Sequence, residues 1–393
     1  MTSPLARHWT LDPEIDFLNH GSFGACPAEV LAAQQEWRAR LERRPVRFMT
    51  GELEAGLDAA RRVLAAFVGA QPEDLVFVAN ATTGVNTVVQ SLQFAAGDEL
   101  LTTDHAYGAC RNALDSVARR AGARVVVASV PFPLRDPAEV STAIRAAVTP
   151  RTRLVLLDHV TSPTGLVFPV AEIVRELSAQ GIETLVDGAH APGMLPVDLD
   201  HLGATYYTAN CHKWPCAPKG AAFLWVRRDR QPAIHPLVVS HGATSPRTDR
   251  SRFHLEFDWM GTDDPTAYLT IPTALRLMES LVPGGWPEIR SRNHQLAMAA
   301  QRLLCDALGI QVPAPESMIG TLAAVPLPPR SAAMPADAQW MDVLQQRLYE
   351  DHRIEVPVFT WPAPPQRLLR VAAQLYNDLP QYERLAAALP ALL

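Results

Sequence analysis

A chain of 393 residues exceeds what one hydrophobic core usually organises, so a large domain with a smaller companion is expected. Its net charge of −6 provides no basic surface for a polyanion, which argues against a nucleic-acid partner. The N-terminal stretch "MTSPLARHWTLDPEIDFLNHG" has no basic segment followed by an apolar run, and no apolar run nears the roughly 20 residues that cross a bilayer; a soluble, cytoplasmic protein is expected.

Short apolar runs then alternate with helical stretches in chain order: "DLVFVAN", "DELLTT", "RVVVASV", "RLVLLD", "ETLVD", "ATYYTA" and "GAAFLWVR". This alternation predicts an α/β fold, and runs such as "LVLLD", apolar without a period of two, are those of strands covered on both faces in a mainly parallel seven-stranded sheet. Ligands of open α/β sheets bind beyond the carboxyl ends of the strands, which makes Asn80, Asp158 and Asp187 candidates to face a pocket.

Past residue 265 the texture changes. Helices are predicted in "DPTAYLTIPTALRLMESL" and "RSRNHQLAMAAQRLLCDALG", and a proline-rich passage, "VPLPPRSAAMPADA", follows. Strand "GTLAAVPL", helix "AQWMDVLQQRLYEDH", strands "RIEVPVF" and "RLLRVAA", and helix "QYERLAAAL" complete a smaller α+β domain. The expected division is a large domain over 16–262 and a small one made of 1–15 and 263–393.

Lysine usage singles out one segment. Of 35 lysines and arginines only two are lysines, Lys213 and Lys219, and both lie in "TANCHKWPCAPKG". A guanidinium stays charged, whereas an ammonium can lose its proton and become a nucleophilic amine, so a chain biased to arginine keeps lysine where that chemistry is needed. The plain alternative is two neighbouring surface lysines. Cys26, Cys110, Cys211, Cys216 and Cys305 form no C-x-x-C pair, and the Cys211, His212, Cys216 group lacks the second ligand pair of a structural zinc site, so neither disulfides nor a metal is expected.

Asp187 ends a buried strand in "TLVDGAHAPG", His190 follows it, and Lys213 comes after the next strand. A pyridine-type cofactor needs a carboxylate at its ring nitrogen and a lysine to hold its aldehyde as a Schiff base, and Asp187 and Lys213 fit those roles. Upstream, "VFVANATTGVN" puts Thr82, Thr83 and Gly84 at the start of a helix, where free amides, the helix dipole and two hydroxyls favour a phosphate. Taken singly, these are an ordinary helix cap, a turn aspartate and a surface lysine.

In combination, "LNHGSFGACP", "ANATTGVN", "DHAYGA", "DHVTSPTGLVFP", "VDGAHAPG", "NCHKWPCAPKGAAFLWV", "GTDDP" and "LRVAAQLYN" resemble the class V aminotransferase family of fold type I pyridoxal 5'-phosphate (PLP) enzymes, in particular its isopenicillin N epimerase-like branch. The resemblance implies that Lys213 carries the cofactor, Asp187 pairs with the pyridinium nitrogen and His190 lies by the ring hydroxyl. It further implies that Tyr107, in preference to His105, stacks on the ring, that Ser162 approaches the phenolic oxygen, and that Thr82, Thr83, Asn210 and His212 gather at the phosphate. His105 is then a capping residue and Lys219 a structural one. Thr262 resembles a residue given to the phosphate by the neighbouring subunit, which implies a homodimer with shared active sites. Arg370 takes the position that clamps the substrate carboxylate. Asn19 and His20 either line the entrance or structure their loop.

Every branch of such chemistry begins with loss of the substrate Cα proton to the freed lysine amine. The resemblance implies an epimerase-like enzyme acting on an amino acid, with a C–S β-lyase on a cysteine-derived substrate as the close alternative. Aminotransfer and a non-catalytic PLP sensor are further alternatives. Cysteine desulfurases need a cysteine on a mobile C-terminal loop; here none follows Cys305, which sits in an apolar helical run and reads as a core thiol.

Overall fold

The structure, a computed structural model, describes residues 3–330 and 342–393. Its centre is a seven-stranded sheet of β1 (Leu75–Val78), β2 (Glu99–Thr103), β3 (Arg124–Ala128), β4 (Thr152–Asp158), β5 (Glu183–Asp187), β6 (Tyr206–Asn210) and β7 (Ala222–Val226). All seven apolar runs of the sequence are strands. Their spatial order is β1-β7-β6-β5-β4-β2-β3, parallel throughout except β7, which runs against β6 and β1. The inner strands are buried almost end to end, as strands covered by helices on both faces must be. Strand β3, at the sheet edge, is partly exposed.

Helices α1 (Ala28–Arg43), α2 (Leu53–Val68), α3 (Ala81–Ser91), α4 (Gly108–Ala121), α5 (Ala138–Ala147) and α6 (Val170–Ala179) surround the sheet. On α2, Leu53, Leu57, Ala60, Leu64 and Val68 recur at helical spacing and form one buried stripe. Helix α7 (Thr266–Ser280) packs across α1 and α2, with Gln34 Nε2 donating to Thr266 Oγ1 at 3.2 Å. Helix α8 (Gly285–Leu308) leads into a three-stranded antiparallel sheet of β8 (Leu322–Leu327), β9 (Val358–Thr360) and β10 (Arg367–Ala372), ordered β9-β10-β8.

Two details differ from the strand and helix expectations. "RIEVPVF" is not one strand: Ile354–Glu355 pairs in parallel with Asp16–Phe17, while β9 begins only at Val358. Pro357, which has no N–H to give a ladder, separates the two pieces. The helix expected over "AQWMDVLQQRLYEDH" is α9 (Val343–His352), and its first four positions lie outside the described residues, as does most of the proline-rich passage. Helix α10 (Leu379–Leu392) closes the chain, capped by Asp378. Gln381 and Arg384 of that helix both bond the Asp16 carboxylate, tying the short Asp16–Phe17 strand to α10.

Parallel strands bring their carboxyl ends to one edge. The loops that leave β1, β2, β4, β5 and β6, and the loop that enters β7, therefore converge there.

Candidate active site

Those loops enclose a cavity of about 910 Å³ that reaches the smaller sheet at Phe359 and Arg370. Thr82, Thr83, Tyr107, Ser162, Asp187, His190, Asn210, His212, Lys213 and Arg370 all line it. Ten site residues named from the sequence thus come together although they span nearly 300 positions of chain.

The amine of Lys213 is buried and lies 2.9 Å from His190 Nε2. Burial, reinforced by the Arg370 charge, lowers its basicity from the ordinary 10.5 to about 7, against the opposing pull of Asp187. Near neutral pH a large share of this lysine is therefore the free amine. Desolvation also holds His190 well below the ordinary histidine range, and its buried Nδ1 has no hydrogen-bond partner among the described residues.

Behind Lys213 the backbone is held from two directions. His20 Nε2 donates to the Lys213 carbonyl at 3.0 Å, and the Cys216 amide donates to the same oxygen at 2.9 Å, with Cys216 in the left-handed region at φ 58°. The other ring nitrogen of His20 accepts from Tyr376 Oη at 2.8 Å, so this imidazole is the neutral Nε2–H tautomer, in keeping with a pKa pushed down to about 3 by burial. Gly24, at φ 71°, packs so close to the His212 carbonyl that any side chain would be driven into it.

Asp187 ends β5 at the same register as Asp158 on β4, and both carboxyls face the cavity floor. Desolvation raises both, and the charge of Asp187 raises Asp158 further. The Ala189 amide donates to Asp187 Oδ1 at 3.0 Å, and the Cys110 thiol donates to Oδ2 at 3.2 Å.

At the opposite end, α3 starts on the cavity wall. Asn80 Oδ1 accepts from the Thr83 amide at 2.8 Å, and Asn210 Oδ1 from the Ala81 amide at 2.8 Å. The positive end of an eleven-residue helix thus opens between the Thr82 and Thr83 hydroxyls. Gly84 follows, and a side chain there would strike Thr208 on β6.

Arg370 crosses from β10 to the far wall. Its guanidinium donates to the Ser162 carbonyl and, at 3.4 Å each, to Ser162 Oγ and Ser22 Oγ, while the Phe359 ring centroid lies 4.8 Å away. None of these partners is an anion, and burial lowers its pKa to about 10.

Five residues named from the sequence stand elsewhere. Asn19 and His20 are buried behind the wall: Asn19 Oδ1 accepts from Ser22 Oγ at 2.6 Å, and His20 supports Lys213 as described. Thr262 lines a neighbouring, mostly apolar cavity of about 370 Å³ that shares Ala79 and Thr83 with the first. His105 does not cap α4, whose cap is Tyr107; it is fully buried and joins Thr164 Oγ1 at 2.7 Å to the Val130 carbonyl at 3.0 Å. Lys219 Nζ donates to the Gly24 carbonyl at 2.9 Å. Sequence reasoning missed Cys110, Ser22 and Phe359. Phe359 carries no local signal, whereas Cys110 lies three residues into the turn that Tyr107 begins.

The sheet order, the crossing helices and a lysine-bearing cavity at the strand ends define the fold type I architecture. The chain belongs to the family described as aminotransferase class-V, whose sequence model matches residues 23–330. It is 37% identical over 396 residues to isopenicillin N epimerase of Streptomyces clavuligerus, covering 97% of this chain and 96% of that one. It is 31% identical over 408 residues to a probable chloroplastic L-cysteine desulfhydrase of Arabidopsis thaliana, covering 97% and 83%. Among solved structures, a lysine-to-alanine mutant of C-DES with glycine covalently linked to the PLP cofactor superposes with a TM-score of 0.75 at 23% identity, covering 95% of this chain and 96% of that one. Among the described residues no helix is long and apolar enough to cross a membrane.

Proposed function

We propose that this enzyme binds pyridoxal 5'-phosphate and acts at Cα of an α-amino acid as an isopenicillin N epimerase-like epimerase. The observation that carries the reading is the pairing, in one cavity, of a buried lysine amine with a pKa of about 7 and a buried arginine that bonds no carboxylate among the described residues. The residues fit the cofactor. Lys213 would hold its aldehyde, the Asp187 carboxylate its ring nitrogen, the unpartnered His190 Nδ1 and Ser162 its phenolic side, Tyr107 its ring face, and Thr82, Thr83, Asn210 and His212 its phosphate. When bound, the cofactor supplies an electron sink for the pair left at Cα.

The chain's own groups do the rest. Arg370 would take the substrate carboxylate in a two-pronged bond and fix the orientation of Cα. The amine of Lys213, free in large part near pH 7, would accept the Cα proton, and burial keeps water from competing for it. Thr262 would reach the phosphate of a second copy, making the site a property of a homodimer. Residues 16–262 would form the large domain, with 1–15 and 263–393 the small one, and the enzyme would work in the cytoplasm.

A second reading, C–S β-lysis of a cysteine-derived substrate, is supported by the desulfhydrase relative that aligns along nearly all of this chain. One experiment separates the readings. Amino acids with and without a β-sulfur substituent are incubated in deuterated water with the PLP-loaded enzyme, and configuration, Cα deuteration and keto-acid release are followed together. An epimerase returns intact, deuterated substrate of inverted configuration. Keto acid and ammonia from the sulfur-bearing set alone would make it a lyase; keto acid without ammonia, an aminotransferase.

A further inference from the structure

Inversion at Cα requires a proton to leave from one face and another to arrive on the opposite face. Lys213 serves one. Resting on the epimerase reading, we propose that Tyr107 is the proton donor on the other face. Three observations lead there.

The first is strand order. Lys213 follows β6 and Tyr107 follows β2, and the two strands between them in the sheet, β5 and β4, end in Asp187 and Asp158. The lysine and the phenol therefore enter the cavity from opposite sides of the carboxyl pair at its floor. The second is chemistry. His190 and His212 stand on the Lys213 side, the first bonded to Lys213 Nζ and the second holding the Ala221 carbonyl at 3.1 Å. Both carboxyls sit on the floor, and Ser22 gives its proton to Asn19. Tyr107 is the titratable group left on the far side among the described residues lining the cavity. The third is location. Tyr107 caps α4 three residues before Cys110, whose thiol bonds Asp187, and it lines the same cavity as Arg370. Burial is the main cause that keeps this phenol protonated above the ordinary tyrosine range, so it enters the reaction as a donor.

The step balances. The Cα–H bond breaks and its proton passes to the Lys213 amine, leaving the electron pair at Cα. The Tyr107 O–H bond then breaks, and its proton forms the new Cα–H bond on the other face. Tyr107 is 46% exposed, so the phenolate regains a proton from water, and the Lys213 ammonium gives one back. Composition is unchanged and only configuration differs. In the reverse direction the two groups exchange roles.

The test uses the PLP-loaded enzyme, Tyr107→Phe and Tyr107→Ala. Wild type is first assayed in deuterated water. If it exchanges Cα–H without inverting any amino acid, the epimerase reading fails and this proposal falls with it, before any variant is made. If wild type inverts, Tyr107→Phe is expected to lose inversion by about 100-fold or more, the scale of a missing general acid, while deuterium exchange with retained configuration falls by less than about tenfold. Bound cofactor per protomer, read from its absorbance after gel filtration, is expected to survive in Tyr107→Phe, which keeps the aromatic ring, and to drop in Tyr107→Ala. Inversion within about threefold of wild type in Tyr107→Phe would overturn the proposal. So would equal loss of exchange and inversion, which would make Tyr107 a positioning residue only.

Discussion

Replacing Lys213 by methionine should stabilise the cofactor-free protein below neutral pH. The fall of the Lys213 pKa from 10.5 to about 7 corresponds to roughly 5 kcal/mol of preference for the neutral amine. Between pH 7 and pH 10 the unfolded chain holds a proton on this lysine that the folded chain has released, so stability rises with pH across that window. Below pH 7 both states are protonated, and the folded state bears the whole cost of a buried ammonium. Methionine has similar length and no charge, but it leaves His190 Nε2 without its partner, an offset of about 1–3 kcal/mol at every pH. The net gain near pH 6 is then about 2–4 kcal/mol, or a few degrees in thermal midpoint for a chain of this size. Thermal scans of both proteins at pH 6, 8 and 10 read it directly. A gain that is absent at pH 6, or that grows toward pH 10, would refute the assignment of a buried, neutral-leaning amine to Lys213.

Borohydride reduction of the PLP-loaded enzyme should fix the cofactor on the peptide bearing Lys213, separable by mass after proteolysis; labelling at Lys219 would move the chemistry to the other lysine. Arg370→Lys should lower kcat/KM by about 100-fold, because an ammonium keeps the charge but loses the planar fork, and steady-state kinetics over the amino-acid panel measure it. Thr262→Val should weaken PLP binding several-fold without changing sedimentation as a dimer, whereas a fully active monomer would remove any role for a second copy.

The strands were legible because a strand buried on both faces must be apolar along its length and must stop where a polar loop begins; "LVLLD" and "TLVD" show both properties. Lys213 stood out because arginine, which fills nearly every other cationic position, cannot supply a neutral amine. What stayed hidden depends on contacts between distant segments. Nothing near His20 announces that its ring holds the carbonyl of a residue 193 positions away, and its place behind the wall follows from the packing of Gly24 on the His212 carbonyl. Phe359 faces the cavity only because Pro357 ends one short strand and lets β9 pair with β10. The distance of Thr262 from the main cavity is likewise set by tertiary structure, since "GTDDP" alone specifies a turn and nothing about which cavity it faces.

The floor of the cavity shows how the fold accepts instability at its site. Asp158 and Asp187 are register partners on adjacent parallel strands, and burial raises both, with the charge of Asp187 raising Asp158 further. A carboxyl whose folded pKa is raised keeps its proton in the folded state after the unfolded chain has lost it. Its contribution is therefore present at low pH and lost as pH rises through the unfolded value and toward the folded one. Asp158→Asn removes one titrating group and the repulsion, while its side-chain oxygen can still accept a hydrogen bond. Because the raised carboxyls cost stability only as pH climbs, the cofactor-free variant should approach wild type toward acid pH and exceed it in thermal midpoint near pH 7. The PLP-loaded variant should lose that advantage, because Asp187 would hold the cofactor's ring nitrogen, the floor would then favour negative charge, and the substitution removes one of its two acidic groups. Equal pH profiles for variant and wild type without cofactor would mean that burial does not raise Asp158 in the folded state, and this account of the floor would fall.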